Sequence, residues 1–192
     1  GNVIYELSFK AAIEANPPII SDYKIITYGV TNREIQEMHT NNKFIRVKKE
    51  LENITAREFA IAIALRKAIN ELNIRNAVSF HSSVLRAKNF QKQQKIIDDV
   101  YPEYKKLKTF HIKGDMPVSK RASQMRLFAE GSGLMTNCRC LQEGVDLPAI
   151  DCICFSDPKR SKVDIVQACG RALRLSASTG KKFGYILVPL FV

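Results

Sequence analysis

No stretch of this 192-residue chain approaches the roughly 18 consecutive apolar residues that a bilayer-spanning helix needs, and its first residues lack the charged and apolar regions of a secretory signal. A cytoplasmic protein with no membrane partner is expected. Internal repeats and low-complexity linkers are absent as well, so neither a repeat array nor a flexible spacer is expected. Cysteine is sparse and odd in number, five in all, which suits a reducing compartment better than a disulfide framework. The pairs Cys138-x-Cys140 and Cys152-x-Cys154 do not have the spacing of a zinc knuckle. Alternate residues of a strand share a face, so Cys152 and Cys154 read as buried packing and no metal site is expected. Also missing is the phosphate cradle Gly-x-x-x-x-Gly-Lys followed by Ser or Thr, in which backbone amides and a lysine hold a nucleotide. Gly180-Lys181-Lys182 lacks both the earlier glycine and the hydroxyl. No Asp-Glu pair ends an apolar strand to hold magnesium. By itself the chain is not expected to hydrolyse ATP.

Acidic residues are also in short supply: 30 Lys and Arg face 19 Asp and Glu, for a net charge of +11. That favours a polyanionic partner through counterion release, although charge alone does not require one. With 45% hydrophobic and 26% charged residues, the composition is that of an ordinary globule with a sizeable core. Apolar strands alternate with helical patterns, which argues for a parallel sheet covered on both faces. Thr55 is placed to cap a helix to Leu72, with Phe59, Ile63 and Ala64 at core spacing. Residues 77–80 read as a buried strand, 84–100 as a basic helix and 107–112 as a strand. A helix over 119–130 follows, capped by Ser119 and closed by Gly131 or Gly133 in a left-handed conformation. Residues 134–136, 150–155 and 184–188 read as further strands, and Ser161 with Asp164 resembles a capping box.

The segment Gln167-Ala168-Cys169-Gly170-Arg171-Ala172-Leu173-Arg174 sets two arginines three residues apart on one helical reading. Residues so spaced share a helix face, so both guanidiniums can converge on one anion. Taken alone, such a pair is most often a solvated basic face. In the right setting it stabilises the negative charge that builds on a transferring phosphoryl group. Upstream lie Thr136-Asn137-Cys138-Arg139-Cys140-Leu141-Gln142-Glu143-Gly144-Val145-Asp146-Leu147-Pro148 and the apolar run Ile150-Asp151-Cys152-Ile153-Cys154-Phe155. Together with the arginine segment these resemble motifs V and VI of superfamily 2 helicases, the nucleic-acid-dependent ATPases that include the DEAD-box and DEAH-box enzymes. Val78-Ser79-Phe80-His81-Ser82-Ser83 resembles motif IV. His111-Ile112-Lys113-Gly114-Asp115-Met116, followed by Arg121 and Phe128, resembles the segment after it. Four blocks in the right order are far more specific than any one of them.

The resemblance implies a RecA-like three-layer α/β fold with a central, mostly parallel sheet and helices on both faces. It makes the chain the second, C-terminal motor domain of an ATP-dependent helicase or translocase. Residues 51–192 would form that domain, and 1–50 a connection from the absent first motor domain plus an irregular insertion. ATP and Mg2+ would be held mainly by that first domain, which would be a partner together with single-stranded or duplex nucleic acid. Ala168 and Cys169 depart from the DEAD-box pattern, which favours DNA over RNA. By resemblance, Arg171 and Arg174 reach the γ-phosphate, with Arg174 the finger proper, and Gln167 positions the phosphate or the attacking water. Gly144 and Asp146 would face the nucleotide, although Asp146 also fits an exposed turn before Pro148. Gly170 would allow close approach at that face, or serve helix packing. Thr136, Ser82, Lys113 and Gly114 would touch the nucleic-acid backbone, contacts that position a strand without reading it. His81 and His111 flank strand ends with no evident catalytic partners. Two other classes stay open: a nucleic-acid-binding module without catalysis, and a scaffold whose arginines pair with a protein partner.

Overall fold

The structure, a computed structural model, describes residues 8–31, 33, 36, 54–138, 150–157, 165–166, 168–170, 174–175 and 183–191. The expected capping box at Ser161 and Asp164, and the candidate residues Gly144, Asp146, Gln167 and Arg171, lie outside the described residues.

Ser8 caps a short helix, α1 (Phe9–Glu14), by accepting from the Ala11 N–H at 3.1 Å, and strand β1 (Asp22–Val30) follows. Helix α2 (Ala56–Glu71) opens on a full capping box. The Glu58 N–H donates to Thr55 Oγ1, and the Thr55 N–H donates to Glu58 Oε2, which satisfies two orphan donors at once. The helix closes where Asn73 takes φ 51° and the Ile74 N–H reaches back to the Ile69 carbonyl, an end that Asn tolerates better than most residues. Strand β2 (Asn76–Phe80) leads to α3 (Val84–Val100), whose N-cap is Ser83. Strand β3 (Thr109–Ile112), helix α4 (Val118–Glu130), strand β4 (Gly133–Asn137), strand β5 (Cys152–Phe155) and strand β6 (Phe183–Phe191) complete the described elements.

The six strands form one all-parallel sheet in the order β1-β6-β5-β2-β4-β3. Parallel strands of this kind are covered on both faces, and β2 and β4 are buried throughout. Alternation along each strand divides the core in two. On one face Ala77, Leu134, Cys152, Cys154 and Leu187 pack with Phe59 and Ile63 of α2 and with Phe90 and Ile97 of α3. On the other, Val78, Phe80, Ile112, Met135, Ile153 and Ile186 pack with Phe128 of α4 and with Ala168 and Cys169. Arg66, 1% exposed, ion-pairs with Asp98 and donates to the Lys105 carbonyl, joining α2 to α3. This RecA-like three-layer fold is the expected one.

Three local expectations are corrected. Helix α4 starts at Val118 after Pro117, without a side-chain cap, so Ser119 lies inside its first turn. Proline presets the φ that a helix entry needs, and that suffices here. Gly131 ends the helix at φ −106° and ψ −146°, outside the left-handed region. Gly133 opens β4 instead, and an added Cβ there would lie 2.3 Å from the Lys108 carbonyl oxygen, so glycine is required by close backbone approach. In addition, β1 comes from the stretch expected to be a connection, yet pairs with β6 along its whole length. Among the described residues no helix is long and apolar enough to cross a membrane.

Candidate functional site

In open parallel sheets, ligands bind beyond the carboxyl ends of the strands. Here that edge carries Ser82 after β2, Lys113 and Gly114 after β3, and Asp157 after β5. The structure therefore brings three of the expected strand contacts, Ser82, Lys113 and Gly114, to one edge.

Ser82 is tightly engaged. Its N–H donates to Asp157 Oδ2 at 2.7 Å and its hydroxyl donates to the same oxygen at 2.9 Å. A hydroxyl has one proton to give, and here Ser82 Oγ gives it to Asp157. Asp157, 5% exposed, spends its other oxygen on Arg86 Nη2 at 2.8 Å. Arg86 Nη2 also lies 3.0 Å from Glu58 Oε1, the carboxylate that closes the capping box of α2. A chain of charge runs from Thr55 through Glu58, Arg86 and Asp157 to Ser82, and it fixes the β2–α3 loop against the end of β5. Spacing arguments missed Asp157 and Arg86. The available signal was an acid directly at the end of an apolar strand, in Phe155-Ser156-Asp157-Pro158.

Thr136 is bound within the sheet. It lies inside β4, fully buried, opposite His111 on β3. Its hydroxyl donates to the Phe110 carbonyl at 3.3 Å and lies 2.9 Å from His111 Nδ1. With that proton given away, Nδ1 is the donor and Nε2 is the bare nitrogen. Nε2 is buried with no protein partner. Burial, followed by the nearby charges of Lys88 and Lys113, holds the His111 pKa below the usual value. Thr136 is thus engaged within the sheet.

Lys113 is 31% exposed and its ammonium lies 2.7 Å from Asp115 Oδ2. That hydrogen bond keeps the Asp115 carboxyl below the usual carboxylate range. On the arginine segment, 165–166 and 168–170 are helical and Arg174 is exposed. Ala168 and Cys169 anchor it in the core. Gly170 has nothing within 4 Å of an added Cβ. Packing within the described domain therefore does not explain this glycine. Burial pushes the thiols of Cys154 and Cys169 up to about 12 and about 11, which leaves both unreactive. Among the described residues no group of three or more His, Cys, Asp and Glu side chains can hold a metal ion.

A six-stranded parallel sheet with helices on both faces and loops gathered at its carboxyl edge defines a RecA-like domain. Residues 61–176 match the family described as the helicase conserved C-terminal domain. The chain belongs to that family, as the C-terminal motor domain of a superfamily 2 helicase. It is 33% identical over 73 residues to IRC3 of Saccharomyces cerevisiae, named as an ATP-dependent helicase, which covers 38% of this chain and 11% of that protein. The DNA-bound ATP-dependent Type ISP restriction-modification enzyme LlaBIII has the same fold over 99% of this chain and 13% of its own, with a TM-score of 0.82 at 22% identity. A fragment of an HsdR subunit of a type I restriction enzyme from Vibrio vulnificus matches over 97% of this chain and 35% of its own, with a TM-score of 0.70 at 19% identity. The chain thus spans only a small part of these proteins' length.

Proposed function

We propose that this domain is the second motor half of a DNA-directed translocase or helicase, and that it completes an ATP site built mainly on a first RecA-like domain. The family assignment, together with the core packing of Ala168 and Cys169 in the segment that leads to Arg174, supports this reading. ATP, bound with Mg2+, supplies the phosphoryl group whose transfer the motor uses. Arg174 and Arg171 stabilise the charge that develops on that group, and Gln167 orients the phosphate or the water. A guanidinium preplaced in a cleft that dries on closure is worth several kcal/mol there and little in open water. Gly144, Asp146 and Gly170 line the nucleotide side, where the open space around Gly170 leaves room for close approach from outside the domain.

The loop at Ser82, Lys113 and the main chain at Gly114 meet the phosphate backbone of the strand. Such contacts position it without reading sequence. Thr136 supports them from beneath through His111. Alone, the domain turns over no ATP. The preference for DNA is supported by the DNA-bound LlaBIII structure, whose fold matches almost the whole chain.

The test is ATP turnover, with and without single-stranded DNA, of a polypeptide carrying both motor domains, compared with its Arg174→Ala variant. Stimulated turnover is expected to fall about 10³-fold or more. Turnover unchanged by the substitution would remove Arg174 from the site, and absence of any turnover would leave a binding module as the better reading.

A further inference from the structure

The bonds around Asp157 join two regions that the proposed function uses separately. Its carboxylate takes two hydrogen bonds from Ser82 and one from Arg86, and so holds the β2–α3 loop at the strand-binding edge. Phe80 and Phe155, each two residues before one of these partners, face each other with ring centroids 5.8 Å apart. Both belong to the cluster that also holds Ile165, Ala168 and Cys169 of the helical segment that precedes Arg174. The segments that end in the two rings thus share one cluster with that helical segment, and Asp157 joins them to each other at their ends.

We propose that Asp157 is a positioning residue that couples the grip on the strand to the helical segment that precedes Arg174, by holding Ser82 and Arg86 rigidly to the end of β5. The proposal rests on the motor reading above. Its physical content is that a carboxylate this buried is not free to swing. It must keep all three donors or leave a charge unpaired away from water, which is costly. Displacement of the β2–α3 loop by a bound strand is thereby transmitted to the end of β5 and to the cluster that it shares with the helical segment before Arg174. Contiguous packing does not by itself make two sites dependent on each other. The dependence is what has to be measured, as the factor by which one ligand alters the response to the other.

Asp157→Asn keeps the size and an oxygen for the Ser82 N–H, but loses the charge that holds Arg86. The experiment uses the polypeptide with both motor domains and reads ATP turnover without and with a single-stranded DNA oligonucleotide, alongside the thermal midpoint. The expected result is basal turnover within about twofold of wild type, with the ratio of stimulated to basal turnover reduced about fivefold or more. Arg86→Ala should lower the ratio in the same sense, and adding it to Asp157→Asn should lower it little further, since both break one pair. A merely structural role would lower basal and stimulated turnover together with the midpoint and leave the ratio alone, which overturns the proposal. A ratio unchanged in Asp157→Asn while wild type is stimulated overturns it as well. Wild type that DNA does not stimulate would instead defeat the motor reading, and this proposal with it.

Discussion

The two edges of the sheet are held by different kinds of bond. At the amino edge the partners are mostly main chain. Asp151 Oδ2 accepts from the N–H groups of Arg75 and Asn76 at 3.1 and 3.0 Å, Gly133 N–H donates to the Arg75 carbonyl, and Leu134 N–H donates to the Lys108 carbonyl. At the carboxyl edge the bonds join charged side chains: Asp157 to Arg86, Arg86 to Glu58, and Lys113 to Asp115. Two aspartates at opposite ends of β5 thus do different work. Main-chain donors cannot leave without unravelling a strand, whereas Lys113 and Asp115 at the other edge can part without disturbing the ladder. One edge frames the sheet, and the other carries the charged groups that the proposed function uses.

The sharpest way to break that contrast is at Gly133. A Cβ 2.3 Å from the Lys108 carbonyl oxygen forces backbone to move, so Gly133→Ala should cost about 3 kcal/mol or more. In a thermal melt followed by circular dichroism this is a fall of about 6 °C or more. A midpoint within about 2 °C of wild type would mean that the amino edge yields more easily than its geometry says. Next in size, Asp151→Ala orphans two backbone N–H groups and should cost about 1–3 kcal/mol, with DNA affinity unchanged. Lys113→Ala is the mirror case. It should alter stability by no more than about 0.5 kcal/mol while weakening DNA binding and reducing its salt slope by about one.

His111 offers a pH test of the same edge. Its folded pKa lies below that of an unfolded histidine, about 6.5, so in acid the unfolded chain takes up the proton first. The resulting contribution to stability is complete above about pH 6.5 and is lost as the pH falls from there through the folded value. Melts across that range should show the loss, and His111→Gln should diminish it. The smallest effect belongs to Asp115→Asn. Removing the partner of Lys113 frees its ammonium, and DNA affinity at low salt should rise about twofold. A fall would mean that Asp115 orients Lys113 rather than competing for it.

Local signals in the sequence were legible where the physics is local. The basic helix read over 84–100 has the observed bounds of α3, Val84–Val100, and the buried runs of β2, β4 and β5 were found to within two residues. Strand β1 was not found, because most of its residues are exposed and its identity comes from pairing with β6 rather than from its own pattern. At the site, Lys113 and Gly114 could be placed at the edge from their position after a strand. The engagement of Ser82 and Thr136 could not. The partners Asp157 and Arg86, like His111 for Thr136, come from other strands and helices, and no periodicity reports such contacts. Gly170 showed the reverse: the sequence left two reasons for it open, and the open space around it removed one.

Among the described residues, strand β1 is hydrogen-bonded only to the late strand β6, with Asp22 opposite Phe183 and Val30 opposite Phe191. A ribosome adding about 5–20 residues per second needs on the order of ten seconds or more between making the first of these strands and the second. During that time β1, carrying the exposed Tyr23 and Ile25, has no neighbour to pair with. Pairing over such a separation is slow for entropic reasons. The nascent chain therefore depends on whatever shelters that strand until its late partner emerges, and newly made protein should be far more prone to aggregate than the finished fold.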